Sequence, residues 1–225
     1  MARLNLNPFI FIALFGITHA DLGFASAIDT IQGNRTTFGS IQSSNKSALS
    51  FLTGSNGPYH FTDLKFDLLN FSDPNSFSFN VDLFAVGSSP DYFPTGSSLA
   101  QAILSTGPMA GSTSAVLDFT TLDALGSYGL AANTGYALVL SGATPSVASG
   151  VLAWNAGGSG VVTGDGFSLL QGFNFNNGSW FTLSDPLRLS MQVGNAAVPE
   201  PASIGLLGLG LALMALAKPR KIDKI

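Results

Sequence analysis

Three stretches of this chain alternate apolar and polar residues with a period of two, and that pattern restricts the fold more than any other feature. Leu64, Phe66 and Leu68 alternate with Asp63, Lys65 and Asp67; Phe77, Phe79, Val81 and Leu83 with Ser78, Asn80 and Asp82; Leu187, Leu189, Met191 and Val193 with Arg188, Ser190 and Gln192. Successive side chains of a strand point to opposite faces, so each stretch reads as a half-buried strand with one wet face. Asp63 and Asp67 fall on such a face. Ser72-Asp73-Pro74-Asn75 carries turn residues, which predicts that the first two strands pair as an antiparallel hairpin. Apolar runs at Ala115 to Phe119, Tyr136 to Leu140 and Val151 to Trp154 predict inner strands covered on both faces. Leu99 to Leu104 reads as a short helix or another strand, and turn residues crowd 87–98, 141–150 and 157–166.

Between Ile28 and Val198 the chain is rich in Gly, Ser, Thr, Asn, Phe and Leu and poor in the Glu, Lys and Arg that fill helix surfaces. The expectation is an all-β body, a single antiparallel β-sandwich, jelly-roll-like, with about eight to ten short strands. No internal repeat and no linker divides it. There is no cysteine in the chain, so packing alone must hold the body, and thiolate chemistry is excluded. Ten aspartates against four cations (Arg35, Lys46, Lys65 and Arg188) leave the body acidic, which excludes nucleic acid as a partner.

Both ends stand outside that body. Arg3, the apolar run Pro8 to Ile17 and two small-residue exits, Thr18-His19-Ala20 and Ala25-Ser26-Ala27, form a secretory signal peptide over residues 1–27, cleaved after Ala20 or Ala27 by the general secretion machinery. Residues 28–197 are then the exported domain, and 198–225 a tail. Within the tail, 202–217 carries no charge. As a helix it spans roughly 24 Å against a hydrocarbon core of about 30 Å, a mismatch that snorkelling of flanking cations absorbs. Lys218, Arg220, Lys221 and Lys224 follow as a cationic stop, which by the positive-inside rule keeps the C-terminus cytoplasmic and puts the body across the inner membrane. Ahead of the helix, Val198-Pro199-Glu200-Pro201 is extended and exposed, because the prolines fix φ and remove backbone donors.

A Pro-Glu-Pro triplet, an apolar helix and a cationic end in that order resemble the PEP-CTERM sorting domain of exported proteins of Gram-negative bacteria. The resemblance implies that an exosortase reads Pro199-Glu200-Pro201, removes the tail and releases or transfers the body to the cell surface, in a setting of exopolysaccharide and biofilm production. The body resembles the choice-of-anchor R type of exported β-sandwich domain, on Val81-Asp82-Leu83-Phe84 before the loop Pro94 to Gly96, on Leu130 to Leu140, and on Trp154 and Trp180. That second resemblance implies no catalytic residue.

Chemistry has few candidates. With the signal peptide gone, His60 is the only histidine for a nucleophile triad or a histidine-bearing metal site. Asp63 with Asp67, or Asp118 with Asp123, are the carboxylate pairs a glycoside hydrolase would need, though solvated strand faces explain them as well. Asp73, Asn75, Asp91, Asp165 and Asp185 lie in or beside turns and are the residues a calcium ion would take, but their spacing matches no EF-hand, and no other metal or cofactor is expected. Sugar binding draws on aromatic faces with neighbouring amides. Trp154 reads as core, whereas Trp180, on a loop after Asn177, is the ligand platform, with Tyr92 beside it in the candidate set. Asn34, Asn45, Asn70 and Asn177 match the glycosylation pattern. The chain thus reads as an exported, structural, non-enzymatic protein of the cell surface or extracellular matrix, the alternatives being a carbohydrate-binding or adhesive module and a glycoside hydrolase.

Overall fold

The computed structural model describes residues 25–195 apart from positions 33, 43, 72–73, 145–151 and 158–160. The signal segment with its Ala20 exit and the sorting tail lie outside the described residues. Among the described residues no helix is long and apolar enough to cross a membrane. The strands are β1 (Ala25–Asp29), β2 (Arg35–Ser40), β3 (Lys46–Leu52), β4 (Tyr59–Asn70), β5 (Ser78–Val86), β6 (Pro94–Ser105), β7 (Thr113–Phe119), β8 (Gly135–Thr144), β9 (Leu152–Gly157), β10 (Val162–Thr163), β11 (Ser168–Asn176), β12 (Ser179–Thr182) and β13 (Leu189–Asn195). A short helix, α1 (Asp123–Ser127), precedes β8.

Two antiparallel sheets make a β-sandwich. One runs β10-β1-β13-β4-β9-β2, with β7 also on β4; the other runs β12-β11-β3-β8-β5-β6. Within them β2 to β9 take the orders β2-β9-β4-β7 and β3-β8-β5-β6, the interleaving of a jelly roll. Alternation explains the core. Phe66 and Trp154 of one sheet stack edge to face at 5.2 Å, and Phe66 meets Phe79 of the other sheet at 6.4 Å. A register shift opposite Gln192 and Val193 sets a bulge at Thr62 and Asp63, so Tyr59 and Phe61 before it and Leu64, Phe66 and Leu68 after it are all buried.

Several expectations are corrected. The first two alternating stretches form β4 and β5, but these lie in different sheets and do not pair as a hairpin. Asn75 pairs instead with Met109, through backbone bonds of 3.0 and 2.8 Å. A turn signal marks a change of direction and leaves open which strand receives the chain. Ala115 to Phe119 is not covered on both faces: β7 pairs only with β4 and leaves Val116 exposed. Leu99 to Leu104 is strand, part of β6, which also takes Pro94 to Ser98 from the presumed turn. The helix α1 was not foreseen; it buries Leu125 beside Leu122. Tyr136 to Leu140 and Leu152 to Trp154 are buried as expected.

Asp63 and Asp67 are not solvated. Asp67 is 0% exposed on the outer side of its sheet, held by Arg188 Nε (2.6 Å), Arg35 Nε (2.9 Å) and Asn155 Nδ2 (2.8 Å). The segment before β2 covers it, since Arg188 also donates to the carbonyls of Ile31 and Gln32. Strand alternation assigns a face and says nothing of what a neighbouring segment lays over it.

Candidate functional site

The outer face of the β12-to-β6 sheet carries an aromatic cluster. β11 and β12 are joined by Asn177-Gly178, whose φ values of 50 and 83° make the two-residue turn that matches strand twist. Trp180 is therefore on a strand, not on a loop, and it faces Phe175 across the hairpin at 5.0 Å. Phe173, one pleat back, lies 6.5 Å from Trp180 and 4.8 Å from Phe93. The segment after β5 folds onto the same face, where the Ser50 hydroxyl donates to the Tyr92 carbonyl at 2.8 Å. Tyr92 and Trp180 thus pack on one small cluster around Ala48, Val139 and Phe173. Asn177 sits exposed at the hairpin tip, with a backbone role in the turn.

At the end of this face lies a pocket of about 100 Å³, lined by Ser40, Asn45, Lys46, Asn174, Phe175 and Asn176. It forms where β2 of one sheet approaches β3 and β11 of the other. Gly39 permits that approach: a Cβ there would lie 2.1 Å from both Asn174 Oδ1 and Ser47 Oγ. Those two atoms are hydrogen-bonded at 2.9 Å, which fixes Asn174. The Lys46 ammonium lies over the Phe175 ring, 5.7 Å from its centre. Sequence reasoning missed this group because its members come from three strands. The one legible signal was Phe175 flanked by Asn174 and Asn176.

A second cluster stands on the outer face of the other sheet. Lys65 of β4 bonds Asp118 of β7 at 2.7 Å, and the Asp63 carboxyl stands beside that of Asp118. Burial first, and then the neighbouring Asp118 carboxyl, push the Asp63 carboxyl up to about 6, while Asp63 and the Lys65 ammonium hold Asp118 below the usual carboxylate range. In the unfolded chain both titrate near pH 4. Between about pH 4 and 6 the folded state therefore holds the extra proton on Asp63, and raising pH through that window weakens the fold. Asp118 works the other way: its contribution is present above pH 4 and is lost only as pH falls below. The denaturant midpoint is expected to drop between pH 4.5 and 7.5 by the equivalent of about 2 kcal/mol, less than a two-unit shift in full because Lys65 and Asp118 are solvated. Asp63→Asn should flatten that dependence and stabilise the fold at pH 7.5. An unchanged slope in the variant would sink this assignment.

The remaining candidates are dispersed. Both oxygens of Asp67 are taken by arginine, so Asp63 and Asp67 do not form an acid and base pair. Asp118 and Asp123 do line one open groove, with Ile103, Ser105 and Phe119. The Asp118 carboxylate is taken by the Lys65 ammonium at 2.7 Å. His60 is half-buried on β4 beside Gly194. Asn75 accepts from the Ser76 N–H, Asp185 takes the Thr36 hydroxyl, and Asp165 sits in a turn at φ 53°. Among the described residues no three histidine or carboxylate side chains converge on a point. Asn70 is buried and donates to the carbonyls of Met109 and Ala110, which removes it as a glycan acceptor.

Compared with known families, residues 197–221 match the PEP-CTERM protein-sorting motif. No curated protein matches the chain. The chain is therefore an exported protein carrying a PEP-CTERM sorting signal, with an exosortase as its processing partner and the cell surface as its destination. The matched segment contains Val198, Pro199, Glu200 and Pro201 together with the apolar run and Lys218, Arg220 and Lys221.

Proposed function

We propose that this chain is a structural, non-enzymatic component of the cell surface or extracellular matrix in an exopolysaccharide or biofilm setting. The observation that carries the reading is the sorting motif joined directly to a completed sandwich: β13 ends at Asn195, two residues before the matched segment begins at 197. Removal of the tail at Pro199-Glu200-Pro201 then leaves every strand intact. At the other end β1 begins at Ala25, and Ala27 and Ile28 are buried in pairing distance of β13 and β10. Signal cleavage after Ala20 preserves that strand, whereas cleavage after Ala27 would remove three of its five residues. The membrane helix 202–217 and a cytoplasmic cationic end complete the reading.

Intact mass and fractionation of the native protein, with Glu200→Ala beside wild type, test it. Wild type should lose the mass of the tail and leave the inner membrane, with a new N-terminus at Asp21, while the variant keeps the tail and stays membrane-bound. Retention of residues 202–225 in both would make the protein a plain anchored ectodomain.

A second reading, a carbohydrate-binding module, is favoured by one observation: the aromatic cluster of Trp180, Phe175 and Tyr92 stands on a sheet face beside an amide-lined pocket. Aromatic faces stack on the apolar faces of pyranose rings, and amides take hydroxyls.

A further inference from the structure

We propose that the pocket at Lys46 recognises an acidic sugar, a uronic acid or similarly charged residue of a polysaccharide, with the ring stacked on Trp180 and Phe175 and the carboxylate on Lys46. The inference rests on the carbohydrate-binding reading and adds the charge of the ligand. Four cations fall among the described residues. Arg35 and Arg188 are paired with Asp67, and Lys65 with Asp118. Among the described residues, Lys46 alone of these has no carboxylate partner. It stands over the Phe175 ring, which is itself against Trp180.

The surroundings fit a sugar better than a bare anion. Asn45, Asn174 and Asn176 supply both donors and acceptors. Ser40 Oγ, in the same lining, is shut off from solvent with no hydrogen-bond partner, an uncommon state for a buried hydroxyl. A volume of about 100 Å³ is too small for a whole ligand and suits one substituent of a chain that lies across the face. The position is also built: Gly39 brings β2 in, and the Ser47 to Asn174 bond holds the amide. An acidic body repels a polyanion in general, so uptake of an acidic polysaccharide must come from a local site and not from diffuse charge.

The test is titration of the full chain in nonionic detergent with polygalacturonate and, separately, with neutral dextran. Polygalacturonate should bind and dextran should bind at least tenfold more weakly. Lys46→Gln should weaken uronate binding about tenfold with an unchanged melting temperature, and Trp180→Ala should weaken it further. Lys65→Gln, which removes a cation on the opposite sheet, should leave it unchanged. Equal binding of both polymers, insensitive to Lys46→Gln, would overturn the acidic-sugar proposal and keep the carbohydrate reading. Binding of neither would overturn both.

Discussion

Asp67→Ala is expected to destabilise the fold by about 3 to 5 kcal/mol, the cost of stranding a buried charge whose partner has been removed. Arg188 would be the stranded partner: its side chain is only 6% exposed and it bonds the Asp67 carboxylate at 2.6 Å. Arg35, 45% exposed in its side chain, can turn to water when the carboxylate goes. The two arginines should therefore separate. Arg35→Ala should cost no more than about 1 kcal/mol, as for an exposed pair, and Arg188→Ala several times that. The network also has a topological effect. Asp67 on β4 holds Asn155 on β9 and Arg35 on β2, while Arg188, just ahead of β13, reaches the carbonyls of Ile31 and Gln32. One carboxylate thus ties the first and last parts of the body in a chain without disulfides. Chemical denaturation of the four proteins at pH 7 provides the comparison. A loss below about 1 kcal/mol for Asp67→Ala would mean that water reaches the site and that the ion pairs contribute little.

How much of this was legible in the sequence differs by level. The two-sheet antiparallel body followed from period-two patterning at Leu64 to Leu68 and Phe77 to Leu83, because alternation is a local property. The partner of each strand was not legible, since pairing is decided by residues far apart in the chain. Phe66 lies opposite both Leu189 and Leu117, and nothing near Phe66 announces either. Burial of Asp67 was hidden for the same reason: its partners are 32, 88 and 121 positions away. At the candidate site, Trp180 and Tyr92 were picked out by residue type, and the fold places them on one cluster. Lys46 was passed over because a lone lysine in sequence has no meaning until the other three cations are seen to be paired. The sorting signal was the opposite case, since its chemistry is linear and lies in consecutive residues.

Trp154→Ala is expected to cost about 3 to 5 kcal/mol, from lost apolar burial and the cavity left behind. Trp154 is 0% exposed, stacks on Phe66 and donates its indole N–H to the Arg188 carbonyl at 2.8 Å. Trp154→Phe keeps most of the ring and removes the donor, so it divides the loss: the packing part should be largely retained, and the lost hydrogen bond should cost only about 1 kcal/mol, because the Arg188 carbonyl still accepts from the Asp67 N–H at 3.2 Å. Because Arg188 is shared, the core and the ion network should not be independent. Its backbone oxygen is fixed by Trp154 on the inner side of the sheet and its guanidinium by Asp67 on the outer side. Once Trp154 is lost, Arg188 is less constrained, and removing Asp67 should then cost less than it does in the native protein. A double-mutant cycle between Trp154→Phe and Asp67→Ala is expected to show coupling of at least about 0.5 kcal/mol. Additive losses would mean that the backbone bonds of Arg188 to Asn155 and Asp67 fix it without help from the Trp154 indole, with the two faces of the sheet energetically separate.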